Sequence, residues 1–354
     1  LDRPVSGTVQ PGGGLLTALL RDVSRSFYLT LRVLPLGVRR PIGLAYLLAR
    51  ATDTLADSVG LPVSRRLEAL ASLRSRILGQ GTARLDLSDF LAGSTGLPPG
   101  ERVLLGRIEE AVGGLDACDA FELARIRDVL DVITGGQELD LRRFGADESP
   151  RLKSLANAGE LDDYTYRVAG CVGEFWTRLC RRSVFPGATL DEAALIEDGV
   201  RFGKGLQLVN ILRDLPRDLA EGRCYLPSEE LAQVGLKPED LLDPAHEARF
   251  RPVYDRWLAC AEEHLAAGWR YTCSLPPGCL RLRLACAWPV LIGIRTIALL
   301  RESPVLDPKF RVKVTRGEVR SILWGTLWRL PFRSAWDGLF EKLGPRTKTA
   351  GGRG

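Results

Sequence analysis

The sequence predicts an all-α protein with its helices around a central cavity, on three observations. Apolar residues recur at helical spacing from Leu15 onward. No stretch sustains the period-two alternation of a sheet. Two distant stretches, each read as a helix, carry carboxylates along a single stripe.

The elements are taken in chain order. Residues 1–14 are rich in Gly and Pro and are expected to be disordered. A helix then carries S-R-S-F, Ser24 to Phe27, where serine and arginine by themselves need do no more than cap it. Leu34-Pro35 ends that helix, and Pro41 suits the first turn of the next. This second helix, about Pro41 to Ser58, contains Y-L-L-A-R-A-T-D-T-L-A-D. At about 100° per residue, Tyr46, Arg50, Asp53 and Asp57 fall within an arc of roughly 60°. Leu47, Leu48, Ala51 and Leu55 lie off it and pack against neighbours. Carboxylates at i and i+4 repel unless something neutralises them. The stripe is therefore either a solvated face, with Arg50 pairing to Asp53, or a site.

Pro62 breaks the chain. An arginine-rich helix is expected over 63–79, with further helices at 100–113 and 116–134. Gly135-Gly136 should weaken a helix by about 1 kcal/mol each relative to alanine, or kink it. Gln137, Asp140 and Arg143 are second-rank candidates for a cavity wall. A helix over Leu161 to Cys180 carries Tyr164, Arg167 and Val168 near one face, and Gly170 and Gly173 permit a neighbour to approach closely. The helix at 191–215 leads into Q-L-V-N-I-L-R-D-L-P-R-D. Its Gln207, Asn210, Asp214 and Asp218 span roughly 80°. Pro216 cannot donate to the carbonyl of Leu212, so the helix should kink or loosen there. The loop E-G-R-C-Y-L-P, Glu221 to Pro227, reads on its own as a surface turn. Helices at 250–272 and 280–302 are separated by Leu275-Pro276-Pro277-Gly278. The reading is one all-α domain over 15–320 and an amphipathic helix over 321–343. That last segment either packs on the domain or rests in a membrane interface. A disordered tail occupies 344–354.

Composition bounds the function. Of the 354 residues, 45% are hydrophobic and 26% charged, ordinary for a soluble globular protein. The net charge of +5 comes without a basic block or aromatic-basic alternation, which argues against nucleic acid. It suits polyanions such as diphosphates, or an anionic membrane surface. Eight scattered cysteines form no C-x-x-C, and with only two histidines a zinc site is not expected. The reading is reduced thiols acting as small hydrophobes in a cytoplasmic protein. Methionine is absent, and the first residues, Leu1 to Gly7, read as either an expression remnant or a processed end and are set aside from the fold. No uninterrupted apolar run reaches the ~18 residues of a membrane span, and no signal peptide is read. The 321–343 segment is the candidate for peripheral membrane contact. Oligomeric state is not legible.

The two acidic stripes, about 160 residues apart, suggest helices facing each other across one cavity. Clustered carboxylates and amides suit a hard cation. Magnesium, with manganese as its substitute, prefers to be shared between carboxylates and a phosphorylated substrate. Arg25, Arg50, Arg213, Arg217 and Arg223 lie near these stretches and suit forked pairing to phosphate oxygens.

These blocks, in this order, resemble the squalene and phytoene synthase family. D-T-L-A-D (Asp53 to Asp57) and N-I-L-R-D-L-P-R-D (Asn210 to Asp218) match its two aspartate-rich motifs. S-R-S-F and Y-T-Y-R-V-A-G-C-V-G (Tyr164 to Gly173) match two more blocks, and the likeness covers roughly Asp22 to Arg320. The resemblance implies an isoprenoid-synthase-type fold and head-to-head joining of two farnesyl diphosphates to presqualene diphosphate. NADPH- or NADH-dependent rearrangement to squalene would come next. It implies magnesium on Asp53, Asp57, Asn210, Asp214 and Asp218. It places the substrate on Ser24, Arg25, Ser26, Phe27, Arg50, Gln207, Arg213, Arg223 and Tyr225, with the rings of Tyr46 and Phe27 facing cationic charge. Squalene synthases usually have a tyrosine where this chain has Arg167, so Tyr164 and Tyr166 are candidates for its role. C-A-W-P-V-L-I-G-I-R (Cys286 to Arg295) and F-R-V-K-V-T-R-G-E (Phe310 to Glu318) resemble the squalene branch, with Ala285 for the family's phenylalanine and Val290 for its glutamine. Lys313 and Arg316 are thereby candidates for the dinucleotide phosphates. No G-x-G-x-x-G comes after a strand, so such a site would not be a Rossmann one. A product of the presqualene diphosphate, dehydrosqualene or phytoene type, made without nicotinamide, is the alternative, and a non-catalytic helical scaffold a remoter one.

Overall fold

The computed structural model describes residues 19–20, 23, 27–58, 60–93, 97–145, 152–330 and 332–344. Ser24, Arg25, Ser26 and the ends expected to be disordered, apart from Gly344, lie outside them. Where one domain over 15–320 is expected, the chain divides into two compact units. They are Leu1–Arg32 with Val38–Glu138, and Val33–Gly37 with Leu139–Gly354.

Helix α1 spans Phe27–Val33 and stops before Pro35. Helix α2 spans Leu36–Ala56, so Pro41 lies inside it and not in its first turn. The N–H that Pro41 lacks would have met the carbonyl of Gly37, an exposed position where water can take its place. Leu44, Leu47, Leu48, Ala51 and Leu55 of α2 are all buried. Helix α3 (Val63–Leu78) ends at Gly79, whose φ of 74° is the left-handed cap that glycine adopts without strain. A short α4 (Ser88–Gly93) is an addition to the expected helices. The 100–113 helix is two helices, α5 (Pro99–Gly106) and α6 (Ile108–Gly113), parted at Arg107.

Helix α7 runs Ala120–Phe144, straight through Gly135-Gly136. Beyond the glycines Leu141 and Phe144 are buried. Each such side chain gains about 1.5–3 kcal/mol by leaving water, which outweighs about 1 kcal/mol per glycine. In the second unit a two-residue parallel pair, β1 (Lys153–Ser154) and β2 (Arg223–Cys224), is the exception to helical secondary structure among the described residues. Between them lie α8 (Ala158–Thr165), a π-helical turn (Tyr166–Gly170), α9 (Cys171–Ser183) and α10 (Glu192–Ala220).

Two features position α10. Its backbone touches that of α9, because a Cβ on Gly173 would lie 1.9 Å from the carbonyl oxygen of Gly199. A Cβ on Gly203 would lie 2.2 Å from that of Ala169. The close approach expected at Gly170 and Gly173 is thus built from glycines on both helices. The second feature concerns Pro216. The helix, expected to end near 215, continues to Ala220. The Leu212 carbonyl, which Pro216 leaves without its N–H, accepts instead from the Tyr254 hydroxyl at 3.0 Å.

Tyr254 sits on α12 (Glu247–Ser274), which comes after α11 (Ser228–Gln233). The core of this unit joins Leu208, Leu212, Leu215 and Leu219 of α10 to Phe250, Val253, Tyr254 and Leu258 of α12. Ile294 and Ile297 of α13 (Leu280–Arg301) complete it. Helix α13 is long and apolar enough to cross a membrane, but most of its side chains are buried here in protein. The 321–343 segment is not one helix. It comprises most of α14 (Arg316–Arg329), then α15 (Arg333–Asp337) and α16 (Leu339–Leu343), with Pro331 and Gly338 between them in sequence. The eight cysteines are free, and burial pushes the Cys224 and Cys286 thiols up to about 12, consistent with a packing role.

Tyr254→Phe should destabilise the protein by about 1–3 kcal/mol in urea unfolding, because a buried carbonyl loses its donor. Pro216→Ala restores the intrahelical N–H. In that background the same Tyr254→Phe change should cost clearly less, and an equal cost in both backgrounds would show that the hydroxyl has another role.

Candidate active site

In the first unit, Arg50 donates to Asp53 at 2.6 Å and pairs with Glu101. Glu101 is buried at the start of α5 and accepts from Thr54 Oγ1 at 3.1 Å. The Arg50–Asp53 pair of the solvated-face reading therefore exists, but a buried third partner fixes the guanidinium. Burial raises the Tyr46 phenol above its usual value. Asp57 lies just past the end of α2 and is exposed, its N–H still bonded to the Asp53 carbonyl. Phe27 opens α1.

In the second unit the stripe on α10 is graded in depth. Asn210 is exposed, the Asp214 side chain is 16% exposed and that of Asp218 10%. Asp218 lies nearest the apolar arc of Leu208, Leu212, Leu215 and Leu219, which explains its depth. Gln207 is half-buried. Asp214 pairs with Arg213 at 2.7 Å and with Arg217 at 3.6 Å. Burial works to raise its carboxyl, but the Arg213 hydrogen bonds and the charges of Arg213, Arg217 and Arg311 leave it below the usual range. Asp218 meets Arg217 at 3.4 Å. Burial pushes its carboxyl up to about 6, with Arg217 and Arg223 pulling down and Asp214 adding to the rise.

Beside Asp218 stands an aromatic group. Tyr164 stacks on Tyr225 with centroids 4.7 Å apart, and Phe144 meets Tyr225 edge-on at 5.2 Å. The Tyr225 hydroxyl donates to Asp140 at 3.2 Å. Burial raises both phenols, so each keeps its proton near neutral pH. Arg223 pairs with Glu221, and its charge acts on both tyrosines. Tyr166 and Arg167 belong to a different local set, in the π-helical turn. Lys204 lies 5.8 Å over the Tyr166 ring, and Arg167 pairs with Asp163 at 2.8 Å. Of the second-rank candidates, Arg143 pairs with Glu160 at 3.2 Å.

The strand-like segment before α14 buries Val312 and Val314 and exposes Arg311, Lys313 and Arg316. Lys313 and Arg316 have no carboxylate partner among the described residues. Thr315 and Glu318 form a capping box, and Arg295 holds Glu318 at 2.8 Å.

The donors fit a magnesium ion shared with phosphate. No group of three His, Cys, Asp or Glu among the described residues is close enough to hold a metal alone. Two carboxylates and an amide on one stripe form an incomplete oxygen set, which magnesium completes with water and substrate oxygens. The strained ionisation of the buried Asp218 is what such a cation would relieve.

The squalene/phytoene synthase family model matches residues 20–318. The chain belongs to that family. It is 30% identical over 311 residues to the presqualene diphosphate synthase of Zymomonas mobilis, covering 88% of this chain and 90% of that one. To phytoene synthase 3, chloroplastic, of Zea mays it is 26% identical over 296 residues, which is 81% of this chain. It spans 60% of the maize protein's length. The solved structure of TcSQS with the ligand BPH1237 superposes with a TM-score of 0.71 at 22% identity, covering 93% and 95% of the two chains. The fold is the all-α isoprenoid synthase fold.

Three residues of the site are not singled out by the sequence alone. Glu101 carries no local signal, since only tertiary packing brings it to Arg50. Tyr254 is hidden for the same reason. Arg311 is legible in principle, because F-R-V-K-V alternates and so turns Arg311 and Lys313 to one side.

The folded carboxyl of Asp218, at about 6, lies above the ordinary 3.8. Its ionisation therefore opposes folding as pH rises from about 4 to above 6, and below that window it costs nothing. Without divalent cations, Asp218→Asn should match the wild type near pH 4. Above pH 6 it should exceed it by on the order of 1–3 kcal/mol in urea unfolding. A difference that does not vary with pH would contradict the burial argument.

Proposed function

We propose that this protein joins two farnesyl diphosphates head to head to presqualene diphosphate, and then reduces that product to squalene with NADPH. The observation that carries the reading is the α10 stripe. It carries Asn210, Asp214 and Asp218 in one line, with Asp214 paired to Arg213 and Arg217, Asp218 paired to Arg217, and the charge of Arg311 acting on the same Asp214. Carboxylates and arginines interleaved in this way suit a diphosphate carried with its metal.

In this reading Asn210, Asp214 and Asp218 would hold magnesium, as would Asp53 and Asp57 on α2, and the metal would supply positive charge to a departing diphosphate. Arg50, Arg213, Arg217 and Arg223 neutralise phosphate oxygens and lower the barrier to ionisation. The allylic cation so formed alkylates the double bond of the second substrate. Tyr164 and Tyr225 keep their protons, so they donate hydrogen bonds and present ring faces to positive charge, worth about 0.5–2 kcal/mol. This leaves the released diphosphate as acceptor of the proton lost on cyclopropane formation. Lys313 and Arg316 would hold the phosphates of the reduced nicotinamide dinucleotide, which supplies the hydride. Arg311 links that segment electrostatically to the acidic stripe.

One observation favours a reaction that stops earlier. The Zymomonas relative is a presqualene diphosphate synthase.

The test is product analysis with farnesyl diphosphate and magnesium, with and without NADPH. Squalene formed only with NADPH is the expected result. Presqualene diphosphate in both reactions would overturn the reductive step, and no consumption would overturn the substrate. Asp53→Asn and Asp214→Asn should each lower turnover at least a hundredfold with unchanged circular dichroism.

A further inference from the structure

The Arg50 guanidinium is held between two carboxylates in unlike surroundings. Its Nη1 donates to Asp53, 2.6 Å away, and its Nη2 to Glu101. Its Nε is buried and has no hydrogen-bond partner. The Asp53 side chain is 41% exposed and that of Glu101 12%. Glu101 lies in the first turn of α5, after Pro98 and Pro99, where the helix dipole favours a carboxylate. Its second oxygen is 3.1 Å from Thr54 Oγ1, a hydroxyl one turn along α2 from Arg50 that also reaches the Arg50 carbonyl at 2.8 Å. A buried carboxylate with both oxygens engaged is costly to separate from its cation, whereas an exposed one changes partners easily.

We infer that Glu101 is a positioning residue for the first motif: it keeps Arg50 in place and neutralised while Asp53 turns to a cation. This role rests on the reading above, in which Asp53 meets metal and Arg50 meets diphosphate. A lone Arg50–Asp53 pair would oppose such a site, because guanidinium and metal would compete for one carboxylate. Glu101 removes that competition. When a cation draws on the oxygens of Asp53, Nη1 loses its carboxylate while Nη2 stays on Glu101. The freed N–H is then available to a phosphate oxygen, in a charge-assisted bond from a guanidinium already in position. Metal and diphosphate thereby favour each other's binding at this motif.

The experiment is calorimetric titration of the full chain with inorganic diphosphate over a range of magnesium concentrations. Glu101→Gln, which keeps the shape and removes the charge, should raise the magnesium needed for half-maximal diphosphate binding about tenfold, at unchanged circular dichroism. In Arg50→Ala, where Arg50 no longer competes for Asp53, the same Glu101→Gln change should leave that requirement unaltered. Should Glu101→Gln fail to fold, Thr54→Val, which keeps both carboxylates and loosens Glu101, should shift the requirement about threefold in the same direction. An unaltered requirement in the folded variant, or an equal shift with and without Arg50, would overturn the role of Glu101 alone. A wild-type protein that binds no diphosphate with magnesium would overturn the reading of the site and this role with it.

Discussion

A single carbonyl governs how the second acidic motif is presented. Leu212 loses its helical donor to Pro216, and a proline inside a helix ordinarily costs about 3 kcal/mol. Here the Tyr254 hydroxyl supplies the missing hydrogen bond from a neighbouring helix. The helix therefore carries on to Ala220, and Asp218 stays in line with Asn210 and Asp214. Glycine-to-backbone contact with α9 fixes the same helix from its other end. The stripe is rigid because packing on both sides leaves its backbone one arrangement.

That rigidity carries an electrostatic cost. Asp214 and Asp218 are both drawn out of water; arginines more than offset this at Asp214, whose carboxyl stays below its usual range, but only in part at Asp218, which the Asp214 charge also opposes. Burying charge without full compensation is destabilising, so a chain that does so at one helix end concentrates its strain where a bound cation would remove it. The first motif is handled differently. There Arg50 is clasped between Asp53 and the buried Glu101, so the guanidinium is the fixed element.

Much of this is legible in the sequence because it is written in local spacing. The stripes at Tyr46–Asp57 and Gln207–Asp218, the glycines at 170 and 173, and the helices themselves derive from a period of 3.6. The points where spacing misleads are those that packing decides. Helix α7 passes Gly135-Gly136 because Leu141 and Phe144 are buried beyond them, and α10 passes Pro216 because of a residue 42 positions away from Leu212. Glu101 and Tyr254 acquire their roles only through tertiary contact. By its sequence the 321–343 segment reads as one amphipathic helix. Its apolar residues divide between a buried and an exposed side, and only the fold tells Ile322 from Trp324.

The central claim is that the α10 stripe binds a divalent cation jointly with diphosphate. The most direct measurement is manganese binding monitored by electron paramagnetic resonance, with and without inorganic diphosphate, in the wild type and in Asp214→Asn. The account predicts weak manganese binding alone, binding tightened at least tenfold by diphosphate, and loss of that tightening in the variant. Manganese binding that is indifferent to diphosphate, or tightening that survives the loss of Asp214, would contradict it.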